Sequence, residues 1–540
     1  MFRPRFAALA AFLFLVAALT GCGTSFRQYV RNGFKVGPNY STPSAAVAEQ
    51  WIDAPHIPTA NEPEQICRWW TVFNDRKLNH LVSCAYRQNL SLRQACYRVL
   101  QARAQLAVAR GDIFPQSQYA SGDYRRSGGA GSAWTNTWDY GFGLQWELDF
   151  WGRLRRAVTA ATDNLEASVA DYDGVLVTML GDIAKNYVQV RTDQERIRLL
   201  RANADIQRDV LNYIDVRLRA GFKQTELDSA QSLSTLRQTE AGIPTLEIDM
   251  RQAEDALCVL LGIPTVDLRK LLDGGPIPSS PPEVALGIPC DLLRRRPDVR
   301  QAERLAAAQG EQIGIAEAEL YPIFTINGTM GYTASNFGDL FKSASFNANA
   351  GPSFQWNLLN YGRIVNNVRY RNARFQELVA AYQQTVLQAN SEVENGLATF
   401  LESQRRTRLL DESVVASERA RGISILRYKQ GVDNFTTYAV IEQNLVTQQD
   451  SAAQARGQIA QGLIATYRAL GGGWELRLSE DPGPSQPAGV WPLPAVPDQV
   501  PVPNQGPVNA APDSPPPEPP AAPVPNTKPA ETVQPPAERP

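Results

Sequence analysis

The periodicity of the sequence changes within residues 138–153, which read WDYGFGLQWELDFWGR. From Trp138 to Leu148 every second residue is apolar, mostly aromatic, and the residues between are polar or glycine. That alternation predicts a β-strand with one apolar and one polar face. Beyond Gly152 the apolar residues recur at every third or fourth position, from Leu165 to Val190, as in an α-helix. A strand is therefore predicted to lead directly into a helix.

The same transition occurs again about 210 residues later, which indicates a tandem duplication. Residues 358–363 read LLNYGR and correspond to LDFWGR at 148–153. The glycine spacing agrees as well, because 69 residues separate Gly152 from Gly221 and 69 separate Gly362 from Gly431. The period is far longer than that of a solenoid repeat.

Each repeat is predicted to contain a helical stretch, two strands and a long helical hairpin, which gives an α+β fold class. Repeat one covers 78–262, with a helical stretch at 78–113, strands near 116–127 and 138–149, and a hairpin tip near Gly221. Repeat two covers 291–473, with a helix at 297–320, strands near 324–333 and 346–358, and a tip near Gly431.

The hairpin helices are predicted to be unusually long. A helix from Gly152 towards Gly221 would span roughly 100 Å at 1.5 Å per residue, which requires coiled-coil packing. The two tip glycines are suited to a left-handed turn where the chain reverses. Pro244 is expected to kink the returning helix of the first hairpin.

The aromatic faces of the strands allow two interpretations. In a soluble sandwich the aromatic side chains would form a core, whereas in a membrane barrel they would face lipid and the polar side chains would line water. Four strands are too few to close a barrel, so closure would require several chains to pool their strands.

The two ends of the chain differ from the repeats. Residues 1–21 resemble an export signal, and Leu19-Thr20-Gly21-Cys22 matches the lipoprotein processing box, which implies a covalent lipid on Cys22. Gly23 is not the aspartate that retains lipoproteins in the inner membrane, which favours the outer membrane. Residues 263–290 are a predicted linker. Residues 474–540 are a Pro/Ala-rich segment predicted to be disordered, and its role stays open.

Composition argues against several other functions. The net charge of -2 provides no basic surface for nucleic acid. Neither His56 nor His80 lies in a metal-binding or nucleophile motif, so we predict no enzyme activity, no catalytic residue, no metal site and no cofactor. The arginines at 294–296 are interpreted as a solvated helix start rather than an anion site.

The cysteines after residue 22 match no disulfide framework or metal motif. We expect most of them to be small buried hydrophobic residues, and their disulfide state stays open. They are Cys67, Cys84, Cys96, Cys258 and Cys290.

Five motifs in this order resemble one family over residues 36–473. They are VGPNY at 36–40, WWTVFND at 69–75, WELDFWGR at 146–153, IPTLE at 243–247 and DLLRRRPDVRQAE at 291–303. The chain resembles the TolC-like outer-membrane efflux proteins, in particular the OprM/NodT-type lipoprotein branch.

The resemblance implies a homotrimer in which each chain contributes four strands to one twelve-stranded barrel in the outer membrane. The hairpins would form a periplasmic α-barrel, and residues 22–77 would wrap the equatorial region. The trimer would be a passive exit duct, lipid-anchored in the outer membrane. It would serve an inner-membrane pump, expected to be proton-driven, through a periplasmic adaptor, and it would export small molecules such as drugs.

The resemblance also implies that the tips hold the gate and contact the adaptor. The matching positions are Gly221, Thr225, Asp228, Tyr428, Gly431, Asp433 and Asn434. Helix capping is the alternative role for Thr225 and Asp433. Relatives often carry an aspartate ring about nine residues beyond the second tip glycine. Here Val440 occupies that level, with Thr437 one turn earlier, so the ring is in doubt. Cys290 also replaces a small residue such as serine.

Three alternatives stay open. The duct could serve metal-ion efflux or protein secretion, because ducts of this kind carry several cargoes. A function of a different class is a lipid-anchored periplasmic coiled-coil scaffold whose strands form a small soluble sheet.

Overall fold

The computed structural model describes residues 24–48, 50–52, 66–221, 225–272, 274–281 and 294–478. The predicted export signal, Cys22, Cys290 and the tail beyond residue 478 lie outside the described residues, so the predictions made for them are not tested by the fold. The start of the predicted disordered segment at 474 is wrong, because Trp474–Leu478 form a short 3-10 helix in which Leu476 is buried.

The described chain consists of long helices and one four-stranded sheet. The first half contains α1 (Phe26–Arg31), α2 (Arg76–Gln88), α3 (Leu90–Gly111), β1 (Ser117–Ser127), β2 (Thr135–Leu148), α4 (Arg153–Arg219), α5 (Thr225–Leu260) and α6 (Arg269–Leu272). The second half contains α7 (Pro297–Ala318), β3 (Ile323–Ala334), β4 (Phe346–Gln355), α8 (Arg363–Lys429) and α9 (Phe435–Ala469).

The helical stretch predicted at 78–113 consists of two helices, α2 and α3. Asn89 ends α2 and begins α3 with an extended backbone, at φ -61° and ψ 126°. Its side-chain oxygen accepts the backbone N–H of Leu92 at 2.8 Å, and its amide donates to the Leu260 carbonyl at 2.7 Å. Both bonds stabilise the break, because asparagine is a favoured N-cap residue.

The sheet joins the two repeats. Its order is β1-β2-β3-β4, every pair is antiparallel, and the central pair is β2 of repeat one with β3 of repeat two. β2 begins at Thr135, three residues before the predicted start. β4 ends at Gln355, so the prediction of a strand to 358 is wrong. Trp356 leaves the ladder and donates its indole N–H to the Leu320 carbonyl at 2.9 Å.

Trp146 occupies the equivalent position in repeat one and donates to the Ile113 carbonyl at 3.1 Å. In each repeat a tryptophan therefore ties the end of the second strand to the end of the preceding helix. This pair of matching contacts is a structural counterpart of the sequence duplication.

The long helices have the predicted length. α4 and α8 contain 67 residues each, or about 100 Å. The glycines before them, Gly152 and Gly362, have φ +81° and +80°, and the tip glycines Gly221 and Gly431 have φ +92° and +75°. α5 continues as one helix through Pro244.

The two helices of the second hairpin, α8 and α9, approach each other closely at two glycines, one on each helix. A Cβ on Gly462 would lie 2.7 Å from the Phe400 backbone nitrogen, and one on Gly396 would lie 2.9 Å from that of Thr466. α7 packs between α4 and α8, and α9 also contacts α4.

The described helices include none that is both long and apolar enough to cross a membrane.

Residues 24–48, here called the N-terminal strap, are fixed against α4 of the first repeat and α7 of the second. The fully buried Arg156 of α4 donates to the carbonyls of Val36 at 2.7 Å and Gly37 at 2.9 Å, and it pairs with Glu311 of α7 at 2.6 Å. A Cβ on Gly314 of α7 would overlap the Arg156 side chain. The strap, α4 and α7 are thus held together at one buried guanidinium.

The cysteines follow the prediction only in part. Cys258 is fully buried, as expected of a small hydrophobic residue, whereas Cys96 is exposed and Cys84 is partly exposed. These three are free thiols. Burial raises the pKa of Cys258, which keeps it in the neutral form.

Candidate duct wall and hairpin tips

One face of the sheet is apolar and open. In the single chain Phe142 is 52% exposed and Phe354 is 69% exposed. Aromatic residues lie towards both ends of this face: Tyr124, Trp138, Tyr332 and Phe346 at one end, and Phe150, Trp151, Phe324 and Phe354 at the other. The residues between them are mostly smaller or aliphatic, namely Ala120, Leu144, Gly328, Met330, Ala348 and Ala350, together with the aromatic Phe142.

The spacing of these aromatic bands is close to the height of the apolar band of a membrane barrel. Phe324 and Tyr332 are eight residues apart on β3, which corresponds to about 26 Å along the strand. Strands of membrane barrels tilt by about 35–45°, so this distance spans roughly 20 Å across the membrane, and the apolar band between the two aromatic girdles is ~25 Å tall. The apolar face thus has the pattern of a lipid-facing surface.

The opposite face carries hydrogen-bonded polar side chains. The hydroxyl groups of Thr325 and Ser353 are 2.7 Å apart, and the Asn327 amide donates to Ser353 at 2.7 Å. The Thr333 hydroxyl donates to Asp139 at 2.7 Å. A face of this kind is suited to water.

Both edges of the sheet are open within the described part of the chain. β1 and β4 each pair on one side only, and they are similar in length, with 11 and 10 residues. Unpaired strand edges of this length favour pairing with another chain. The sheet therefore has the features of one section of a larger wall.

At the other end of the molecule the two hairpins meet at their tips. The Tyr428 hydroxyl of α8 donates to the Asp228 carboxylate of α5 at 2.8 Å. Tyr428 is only 4% exposed, and burial raises its pKa, so the hydroxyl stays a neutral donor. The Thr436 hydroxyl of α9 adds a second polar link, to Gln231 of α5 at 3.2 Å.

An apolar cluster lies beside these polar links. Its buried members come from three helices and are Val210, Ile214, Tyr428, Phe435 and Tyr438. The Lys429 ammonium lies 5.3 Å from the centre of the Tyr213 ring, a cation–π contact between the hairpins. The tips are thus joined by a few polar contacts over a small core.

Helix capping, the alternative role for Asp433, falls instead to its neighbour Asn434. Asp433 pairs with Arg427 in its own turn at 2.7 and 3.1 Å, and these hydrogen bonds lower its pKa. Asn434 is the N-cap of α9 and accepts the backbone N–H of Thr437 at 3.0 Å. The prediction that Asp433 caps the helix is therefore wrong. Thr225 begins α5, but its side chain lies outside the described atoms.

Comparison with known proteins decides the family. The family model described as outer membrane efflux protein matches residues 81–263 and 288–472, once in each repeat. The chain belongs to this family. This efflux protein is an outer-membrane channel protein, the exit duct of a tripartite efflux system, and its fold is TolC-like.

Individual relatives support the assignment. The pyoverdine export outer membrane protein OpmQ of Pseudomonas putida is 29% identical over 77% of this chain and 91% of its own. Nodulation protein T of Rhizobium leguminosarum bv. viciae is 28% identical over 81% and 90%. The solved structure of the outer-membrane channel OprN matches with a TM-score of 0.77 and 30% identity, covering 81% of this chain and 99% of OprN.

The arginines at the start of α7 in this efflux protein are not all solvated, so that part of the prediction is wrong. Arg296 is 6% exposed and contacts both helices of the second hairpin. It donates to Glu392 of α8 at 2.8 Å and to the Ala469 carbonyl of α9 at 2.6 Å, and it pairs with Asp298 at 2.7 Å. Its charge is satisfied within the protein, which argues against a free anion site.

Sequence reasoning also missed a buried acid near the tips of the efflux protein. Glu442 of α9 is fully buried, and its closest cation is Arg421 of α8 at 3.9 Å. Burial raises its pKa, while Arg421 and neighbouring Gln207 lower it. Only the 3.6-residue periodicity, which places position 442 beside Leu445 and Tyr438, could have indicated its burial.

The level of the expected acidic ring is occupied by other side chains. Val440 is exposed, and the Thr437 hydroxyl donates to Asn434 at 2.8 Å. Among the described residues, no group of His, Cys, Asp or Glu is placed to hold a metal ion.

Proposed function

We propose that this efflux protein acts as a homotrimer. It would pass small molecules from an inner-membrane pump, through a periplasmic adaptor, to the cell exterior. The observation that carries the proposal is a sheet with one apolar face, one polar face and two open edges, joined to helical hairpins about 100 Å long.

The open edges support the trimer. Twelve strands, four from each of three chains, would pair β1 of one chain with β4 of the next and leave no edge unpaired. The apolar face would then be outside, against lipid, and the polar face would line a water-filled lumen.

The hairpin tips support a gate that opens without unfolding the tube. Tyr428 and Asp228 link the two hairpins of one chain through a single hydrogen bond. An adaptor or pump that contacts the tips more strongly in the open state would shift the population towards that state. Gly221, Gly431, Thr225 and Asn434 would shape the turns that present this link.

We further propose that a covalent lipid on Cys22 anchors the mature chain. Several acyl chains at one residue give stable anchoring, which a single chain does not. Thr24, two residues later, is fixed on α7 because its backbone N–H and its hydroxyl donate to Glu317 at 2.9 and 2.5 Å. The lipidated end would therefore be held against the folded body.

The proposed cargo is a class of small molecules rather than proteins or metal ions. A relative with 29% identity is named for pyoverdine export, and one with 28% identity is named for toluene efflux. A proton-driven pump would be the partner of a duct with such cargo.

A bacterial strain that no longer produces this efflux protein tests the proposed cargo. We expect it to accumulate small toxic compounds and dyes, and to recover when the wild-type chain is supplied. Affinity purification of the duct after cross-linking should recover an adaptor and an inner-membrane pump. Normal tolerance to compounds, together with a defect in metal resistance or in the secreted proteins, would contradict the proposed cargo.

A further inference from the structure

An aromatic groove lies where the N-terminal strap meets the end of the sheet. It has a volume of about 850 Å³, and its walls include Phe26, Tyr29, Phe34, Phe150, Trp151 and Tyr321. Phe26 is 81% exposed, and Phe34 and Phe150 are each more than half exposed. Volumes of 300–1,000 Å³ are typical of pockets that bind small ligands.

The walls are held in place by polar bonds behind the rings. The Tyr29 hydroxyl donates to the Phe150 carbonyl at 2.7 Å, and the Trp151 indole N–H donates to the Pro322 carbonyl at 2.8 Å. Trp151 and Tyr321 stack with ring centres 4.6 Å apart. The groove is thus preformed rather than a gap between loose side chains.

The conformation of Phe34 is unusual and keeps its ring at the groove. It has φ +59°, a left-handed backbone that is costly for a bulky residue. Arg155 stabilises this turn by donating to the carbonyls of Gly33 at 2.9 Å and Phe34 at 2.7 Å. A strained, exposed aromatic residue supported in this way is typical of a binding site.

The position of the groove indicates what occupies it. Thr24 is one of its lining residues and is fixed by Glu317, so the backbone at residue 24 lies beside the groove. Cys22 is two residues earlier, within about 7 Å at full extension. The groove also continues into the apolar face of the sheet, because Phe150 contacts Phe324 at 5.5 Å and Phe324 contacts Phe354 at 6.3 Å between ring centres.

We infer that this aromatic groove binds an acyl chain of the lipid carried by Cys22. The lipid then does more than attach the protein to the bilayer, because it fills the junction between the strap and the wall. This inference rests on the proposed lipidation of Cys22. It commits to the protein's own lipid, and occupation by free membrane lipid is the alternative that the test must distinguish.

Photo-cross-linking of the full-length protein tests the inference. Cells would be supplied with a fatty acid that carries a terminal diazirine, and the protein would be purified in detergent and irradiated. Mass spectrometry should find the acyl chain of the peptide 22–27 linked to Phe34, Phe150, Trp151 or Tyr321. The intact mass of the same peptide reports lipidation separately from the position of the lipid.

Two matched variants sharpen the result. Phe150→Ser removes a wall of the groove and should lower the cross-links to Trp151 and Tyr321 severalfold. Phe354→Ser removes an aromatic residue that is more exposed than Phe150 but does not line the groove, and it should leave those cross-links unchanged.

Three outcomes would contradict the lipid anchor, the occupation of the groove, or both. A peptide 22–27 without lipid would contradict both the anchor and the inference. A lipidated peptide whose cross-links avoid the groove would contradict the inference alone. A diazirine phospholipid could also label the groove equally in the wild-type protein and in a Cys22→Ser protein with a cleavable signal. That result would show that free membrane lipid is the occupant.

Discussion

The Tyr428 hydroxyl is the best-defined contact between the two hairpins at the tips. It is a neutral donor to a carboxylate, a class of hydrogen bond that contributes roughly 1.5–3 kcal/mol. A contact of that strength keeps a gate closed in most molecules and can still be broken by a partner.

Tyr428→Phe should therefore open the tips more often. Phenylalanine fills the same space beside Phe435 but cannot donate to Asp228. We expect a higher conductance in planar bilayers and greater entry of large antibiotics into cells. Asp228→Asn should act in the same direction.

Asp433→Asn is the matched control for Tyr428→Phe. Among the described residues, Asp433 pairs with Arg427 of its own turn, so its loss leaves the link between Tyr428 and Asp228 intact. If Asp433→Asn raised the conductance as much as Tyr428→Phe, the Tyr428–Asp228 hydrogen bond would not be the contact that keeps the tips closed.

At the residue scale, the sequence predicted backbone roles better than side-chain partners. The tip glycines have the predicted positive φ, because only a local rule is needed to assign it. The partners of Arg296 include Glu392 and Ala469, which are 96 and 173 residues away. No local pattern predicts such contacts.

At the scale of elements, Arg156 holds the strap, α4 and α7 together. Its charge is completely buried, and removal of one partner of a buried pair costs about 3–5 kcal/mol. Arg156→Ala should therefore lower the thermal unfolding midpoint markedly and expose the strap to trypsin at Arg27 and Arg31.

Arg98→Ala provides the comparison for Arg156→Ala. Arg98 pairs with Asp171 at 2.6 Å, but its side chain is 47% exposed, and surface pairs contribute about 1 kcal/mol or less. Equal shifts in the unfolding midpoint for the two variants would show that the buried pair does not fix the strap.

Glu442 should make the tip region sensitive to pH. Burial raises its pKa, so the folded protein keeps a proton that the unfolded chain loses near pH ~4.3. The contribution of Glu442 to stability is thus largest below the ordinary glutamate pKa and falls as pH rises through the raised value.

Glu442→Gln should remove that dependence. We expect slower proteolysis at the tips near pH ~7.5 and little change near pH ~4, relative to wild type. Glu412→Gln, at an exposed position on α8 of the same hairpin, should alter neither rate. A Glu442→Gln protein that is cleaved faster at neutral pH would show that the charge, paired with Arg421, is stabilising.

The sequence predicted the element types but not all of their ends. The alternation of periods 2 and 3.6 identifies strands and long helices because each element buries one face. The break at Asn89 and the end of β4 at Gln355 depend on hydrogen bonds to Leu260 and from Trp356, which lie outside each element's own pattern.

At the scale of the whole molecule, the duplication explains the sheet. Each repeat supplies two strands, and the repeats meet at β2 and β3. The aromatic face could not be assigned to a soluble core or to lipid from the pattern alone, because both bury apolar side chains. The open edges and the two aromatic bands favour lipid.

Electron microscopy of the detergent-purified protein shows whether three chains of this efflux protein close one wall. We expect threefold particles with a single twelve-stranded barrel, in which β1 of each protomer pairs with β4 of its neighbour, above a helical tube about 100 Å long. Monomeric particles, or threefold rods whose sheets stay separate, would contradict it.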